Sequence, residues 1–82
     1  MKTMRIGSSI IHLTQMVDLN CEKCGDEGVL ITIEYNHSEK EYLVPDFHDP
    51  EFVALAIHKG IRESENFDLL PKLRALERIY GG

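Results

Sequence analysis

The chain has 82 residues, of which 43% are hydrophobic and 28% charged, and its formal net charge is −5 at pH 7. This composition is that of a globular protein and excludes a disordered tail. No apolar run approaches the ~18 residues that suggest a membrane-spanning helix, and the basic stretch at residues 1–5 is not followed by the apolar core of a signal peptide. We therefore expect one small domain over residues 1–82 in the cytoplasm.

The negative charge is concentrated in the middle third of the chain. Residues 21–50 carry eight acids against two bases, whereas residues 51–82 balance at five acids and five bases. Nucleic-acid binding normally needs a basic face, so this class of function is disfavoured. An acidic region instead suits a protein partner with a basic surface, because complementary charge raises the rate of association.

Three segments have the pattern of β-strands. Residues 10–20 and 29–35 alternate apolar with polar positions, and a shorter run over residues 41–44 ends at Pro45. A short helix capped by Ser9 is the alternative for the first segment, but its β-branched residues favour a strand. The sequence thus predicts a three-stranded antiparallel β-meander.

Two helices are expected after the meander. Asp49-Pro50-Glu51 is a strong helix start, and the helix should run to about Ser64. A second helix is expected from about Leu69 to Tyr80. Apolar residues recur at helical spacing in both; they are Phe52, Val53, Ala56, Ile57 and Ile61 in the first, and Leu69, Leu73, Leu76 and Tyr80 in the second. The predicted fold class is therefore α+β, with two C-terminal helices packed on one face of the meander.

The segment Cys21-Glu22-Lys23-Cys24-Gly25 is the clearest chemical motif. Two thiolates separated by two residues can hold one metal ion when a turn points both sulfurs inward, and the turn is similar to those of zinc knuckles. A complete structural site needs four ligands, and the return of the third strand should bring His48 near the thiols. We predict one zinc ion held by Cys21, Cys24 and His48, with His58 or Asp49 as the fourth ligand.

Other outcomes for the thiols remain open. Cys21 and Cys24 can simply be reduced thiols in a turn, and a homodimer could complete a site with two cysteine pairs. A redox centre of the thioredoxin type is disfavoured because no helix follows the pair. The same meander places His12 and His37 together at the opposite end of the sheet, away from the cysteines.

The favoured function is a small intracellular regulatory or protein-interaction module that is not an enzyme, acts as a monomer or homodimer, and has one zinc ion as a candidate stabiliser. No nucleophile elbow or phosphate loop is present in the sequence. The first alternative is a nucleic-acid-binding regulator that presents Lys72, Arg74 and Arg78 from the C-terminal helix pair. The second is a sulfur carrier or ubiquitin-like modifier that acts through Gly81-Gly82, because such proteins end in a free Gly-Gly.

Overall fold

The computed structural model describes residues 2–81, and it confirms the α+β class. Two helices and six strands are seen in this part of the chain, and a π-helical turn follows the second helix. In chain order they are β1 (Thr3–Ile6), β2 (Ser9–His12), β3 (Asp18–Cys24), β4 (Gly28–Glu34), β5 (Glu39–Pro45), α1 (Pro50–Glu63), β6 (Asn66–Asp68), α2 (Leu69–Leu76) and the π-helical turn (Glu77–Gly81).

The strands form two separate sheets. One is an antiparallel meander in the order β3-β4-β5, which agrees with the predicted architecture. The other has the order β2-β1-β6, with β1 antiparallel to β2 and parallel to β6. The prediction of a single meander is therefore only partly matched, since a second sheet is built from both ends of the chain.

The first predicted strand, residues 10–20, is wrong as one element. Its beginning belongs to β2 and its end to β3, and a turn at Thr14 and Gln15 separates the two sheets. The amide of Met16 donates to the carbonyl of Leu13 at 3.2 Å in this turn. Val17 lies just beyond it and is 62% exposed, so the alternating pattern did not mark one continuous buried face.

The helices lie close to their predicted positions. Asp49 caps α1, since its side chain accepts a hydrogen bond from the amide of Glu51 at 3.0 Å, and Pro50 occupies the first helical position. The second predicted helix corresponds to α2 and the π-helical turn, but Tyr80 is 66% exposed and does not continue the buried stripe.

The two helices are supported differently. α1 contacts β3 and β4 of the meander and also β6 of the second sheet, whereas α2 contacts β1 and β6 of the second sheet, and the helices also contact each other. One hydrophobic core lies between these layers. Its fully or almost fully buried members come from both sheets and both helices: Met4, Ile11, Val29, Ile31, Ile33, Val44, Val53, Ala56, Ile57, Leu69 and Leu73.

Candidate functional site

The outer face of the meander is the most distinctive surface of the molecule. In β4, Val29, Ile31 and Ile33 are completely buried, so the intervening positions point to the other side of the sheet. The strand register adds the matching positions of β3 and β5 to this outer side. We call it the acidic face, and it consists of Asp18, Asn20, Glu22, Leu30, Thr32, Glu34, Glu39, Glu41 and Leu43.

Three carboxylates of the acidic face lie in one row across the strands. Asp18 is directly opposite Glu34, and Glu34 is directly opposite Glu39. All three side chains are exposed. Like charges at directly opposed positions destabilise a sheet by roughly 0.2–1 kcal/mol a pair, so this row does not contribute to the stability of the fold.

No basic side chain belongs to the acidic face. Both lysines of the meander, Lys23 and Lys40, pair with inner-face residues of β4 and therefore have the opposite orientation. The salt bridges found within residues 2–81 lie elsewhere: Arg5 with Asp68, and Lys59 and Lys72 with Glu63. The five carboxylates of the face are thus not neutralised by a cation of the described chain.

Two leucines interrupt the acidic face near the cysteine end. Leu30 and Leu43 are directly opposite each other on β4 and β5, and Leu43 is 39% exposed. Glu22 is the neighbour of Leu30 on the other edge. The face therefore combines a small apolar patch with surrounding negative charge.

The cysteines are not in a turn, contrary to the sequence prediction. β3 continues through Cys24, and the hairpin turn is Gly25-Asp26-Glu27, with the amide of Glu27 donating to the carbonyl of Cys24 at 3.0 Å. Gly25 adopts φ 53° in this turn, where a side chain would be strained. The strand extends because Glu22 and Lys23 pair with Leu30 and Val29 instead of forming a loop.

As strand residues, the two cysteines point to opposite sides of the meander. They are three positions apart, and side chains alternate along a strand. Cys21 packs against the hydrophobic core, whereas the Cys24 thiol lies 4.0 Å from the Glu27 carboxylate. Both are free thiols, and burial raises the pKa of Cys21 to about 11.

The other predicted zinc ligands, His48 and His58, lie outside the three strands of the meander. His48 is exposed in the connection between β5 and α1, beside a depression that Glu77 also lines. His58 is exposed on α1. Among the residues that the structure describes, no three His, Cys, Asp or Glu side chains are grouped so that they could hold a metal ion. Zinc binding stays a prediction.

The helix pair differs from the geometry expected of a helix-turn-helix. The strand β6 lies between α1 and α2 and is hydrogen-bonded to β1. Gly60 of α1 lies directly against the ring of Phe67 in β6. Lys72 forms a salt bridge with Glu63 at 2.9 Å, which engages one of the three cations considered for nucleic acid. The nucleic-acid function stays a prediction.

The Gly-Gly motif falls at the limit of the described residues. The chain is helical through Gly81, and Gly82 lies outside residues 2–81. The carrier function therefore also stays a prediction.

Comparisons of this protein with models of known families, with curated proteins and with solved structures found no match. No helix of residues 2–81 is long and apolar enough to cross a bilayer. The surface chemistry of the molecule is thus the basis for the functional proposal.

Proposed function

We propose that the protein is a small, non-enzymatic, intracellular interaction module whose acidic face binds the basic surface of a partner protein. The observation that carries the proposal is the placement of five exposed carboxylates on one side of a three-stranded sheet, with no basic side chain among them. Such a field attracts a basic partner over about a Debye length, ~8–10 Å at physiological salt.

Two further features support this proposal. The row Asp18, Glu34 and Glu39 opposes the stability of the sheet, so folding itself does not require these three carboxylates. Leu30 and Leu43 offer an apolar contact that a partner can cover once charge has brought it close. Charge then raises the rate of association and orients the partner, and burial of the leucines adds affinity.

Isothermal titration calorimetry with a lysine decamer tests the proposal. The triple variant Glu34→Gln, Glu39→Gln, Glu41→Gln removes three charges from the acidic face. The matched control Glu51→Gln, Glu65→Gln, Glu77→Gln removes three exposed carboxylates from the helical side, so both variants have the same net charge. We expect the first variant to bind about tenfold more weakly than the wild type, and the control to retain most of the affinity.

Equal losses in the two triple variants would contradict the proposal, because binding would then follow net charge and not the acidic face. Failure of the wild type to bind the decamer at low salt would also contradict it. The affinity should decrease steeply with added salt if charge dominates.

Zinc at Cys21 and Cys24 is a separate proposal, carried by the spacing of the cysteines in the sequence. Because the thiols point to opposite sides of β3, both can bind one ion only if the end of the strand rearranges. Native mass spectrometry of zinc-supplemented protein, beside a Cys21→Ser, Cys24→Ser variant, tests it. An adduct that the variant lacks would support zinc binding, and equal masses after correction for the substitutions would remove it.

A further inference from the structure

A second surface of the molecule has chemistry opposite to that of the acidic face. Where β2 of one sheet approaches the inner side of the meander, a cleft of about 410 Å³ lies between the two sheets. We call it the tyrosine cleft, and its lining includes Ile10, His12, Tyr35, His37, Lys40 and Tyr42. His12 and His37 both line this cleft at the end of the meander distant from the cysteines, but His12 comes from β2 of the second sheet and not from the meander as predicted.

Aromatic side chains provide the inner part of this cleft. Tyr35 and Tyr42 are both half-buried, and the Tyr35 hydroxyl donates a hydrogen bond to the carbonyl oxygen of His12 at 2.7 Å. This bond fixes the Tyr35 ring between the two sheets. Burial, with a smaller contribution from the nearby Tyr42, raises the pKa of Tyr35, which agrees with two phenol groups close together. Ile10, 54% exposed, adds an apolar contact.

The polar side chains that line the tyrosine cleft can all donate a hydrogen bond, and none of the lining residues is acidic. Lys40 is exposed there and forms no salt bridge with the described chain. Glu34 precedes Tyr35 in sequence, and Glu39 and Glu41 flank Lys40, but the strand alternation places all three carboxylates on the acidic face. Lys40 is thus the charged residue of the cleft lining, and it has no carboxylate beside it in that lining.

We propose that the tyrosine cleft binds a small organic anion that carries a planar ring. The volume of the cleft is within the range of small-molecule sites, roughly 300–1,000 Å³. A ring can pack against Tyr35, Tyr42 and Ile10, because aromatic and aliphatic side chains contact flat rings favourably. The anionic group, a carboxylate or a phosphate, is then hydrogen-bonded by Lys40 and by an N–H group of His37. This site is independent of the acidic face.

Amide NMR spectra recorded during titration with phenyl phosphate test the proposal. We expect saturable shifts confined to residues 10–12 and 35–42. Benzoate should shift the same amides, since it shares the ring and the charge, and its affinity relative to phenyl phosphate shows which anionic group is preferred. Phenol and inorganic phosphate each lack one of the two features and should bind at least tenfold more weakly.

Two lysine variants provide matched controls. Lys40→Gln should weaken the binding of phenyl phosphate about tenfold, because a charge-assisted hydrogen bond is lost. Lys23→Gln removes the same charge at the other end of the meander and should leave the affinity unchanged. Both lysines are exposed, so neither change should unfold the protein.

A Tyr42→Leu variant tests the ring contact, and we expect it to reduce the preference for phenyl phosphate over inorganic phosphate. The proposal is overturned by the absence of saturable shifts at millimolar phenyl phosphate. It is also overturned by equal effects of Lys40→Gln and Lys23→Gln, or by shifts that lie outside the cleft.

Discussion

The two faces of the meander are made by the same three strands but differ completely in chemistry. On the inner face, Val29, Ile31 and Ile33 are fully buried in the hydrophobic core, and α1 contacts β3 and β4. On the outer face, the positions between and after them are partly or fully exposed, and the row at the end of the strands is acidic. Stability therefore comes from one face, which leaves the other free to carry charges that the fold itself does not need.

The largest expected effect comes from Ile31→Ala on the inner face. Ile31 lies in the middle of the central strand between Cys21 and Tyr42, and it is completely buried. Loss of its side chain should lower the free energy of unfolding by about 2–5 kcal/mol, measured by urea denaturation. Thr32→Ala, the adjacent outer-face change, should cost less than about 1 kcal/mol. Equal losses of stability in the two variants would contradict the distinction between the faces.

A smaller loss of stability is expected from Gly60→Ala, which tests the buried contact between α1 and β6. A methyl group at Gly60 would overlap the ring of Phe67, so we expect a destabilisation of about 1–3 kcal/mol. At an unconstrained helical site the same change would instead stabilise by about 1 kcal/mol. Thermal unfolding distinguishes the two signs. The double variant with Phe67→Leu should recover part of the loss, and a higher melting temperature for Gly60→Ala alone would contradict the contact.

A gain of stability is expected from Glu34→Gln on the acidic face. The change relieves repulsion with Asp18 and Glu39, and should raise the free energy of unfolding by roughly 0.2–1 kcal/mol. The gain should diminish with salt, because the charges are exposed. Glu65→Gln is the control, since Glu65 is exposed between α1 and β6 and is distant from the row. A loss of stability for Glu34→Gln, measured by urea denaturation at low salt, would contradict this interpretation.

The smallest effect on stability near neutral pH is expected from ionisation of the Cys21 thiol. Cys21 lies on the inner face of the meander, and Cys24 lies on the outer face. Burial raises the pKa of Cys21 from 9.0 to about 11. A group protonated more strongly in the folded state contributes stability that is present below pH 9.0 and is lost as the pH rises towards about 11. In a Cys24→Ser variant, alkylation of Cys21 by iodoacetamide should therefore be slow near neutral pH and accelerate as pH 11 is approached. Rapid alkylation near neutral pH would show that the thiol is not buried.

The parts of the fold that could be predicted from the sequence are those with local signals. Asp49-Pro50-Glu51 contains both the cap and the first turn of α1, and the structure agrees. β6 could not be predicted in this way, because it is three residues long and pairs with β1 at the other end of the chain. The turn that divides residues 10–20 was also missed, since Leu13 and Leu19 continue the alternation on both sides of it.

The candidate site was visible in the sequence only as an excess of acids in the middle third. That Glu34 and Glu39 share one row depends on the register between β4 and β5, which the turn between the two strands sets. Alternation alone would have placed Asp18 and Glu22 on one side of a strand. It would not have predicted which side of the sheet α1 covers. At the cysteine motif, a turn was predicted where the structure has a strand. Glu22 and Lys23 have the polar character of a loop but form part of β3.

The most direct test of the proposed interaction function is the position of a bound basic peptide on the molecule. Amide NMR spectra recorded with increasing lysine decamer report on every strand and both helices in one titration. We expect the largest shifts in β3, β4 and β5, at the strand ends that carry Asp18, Glu34 and Glu39. Shifts concentrated in α1 and α2, or spread evenly over the chain, would contradict the assignment of the acidic face as the binding surface.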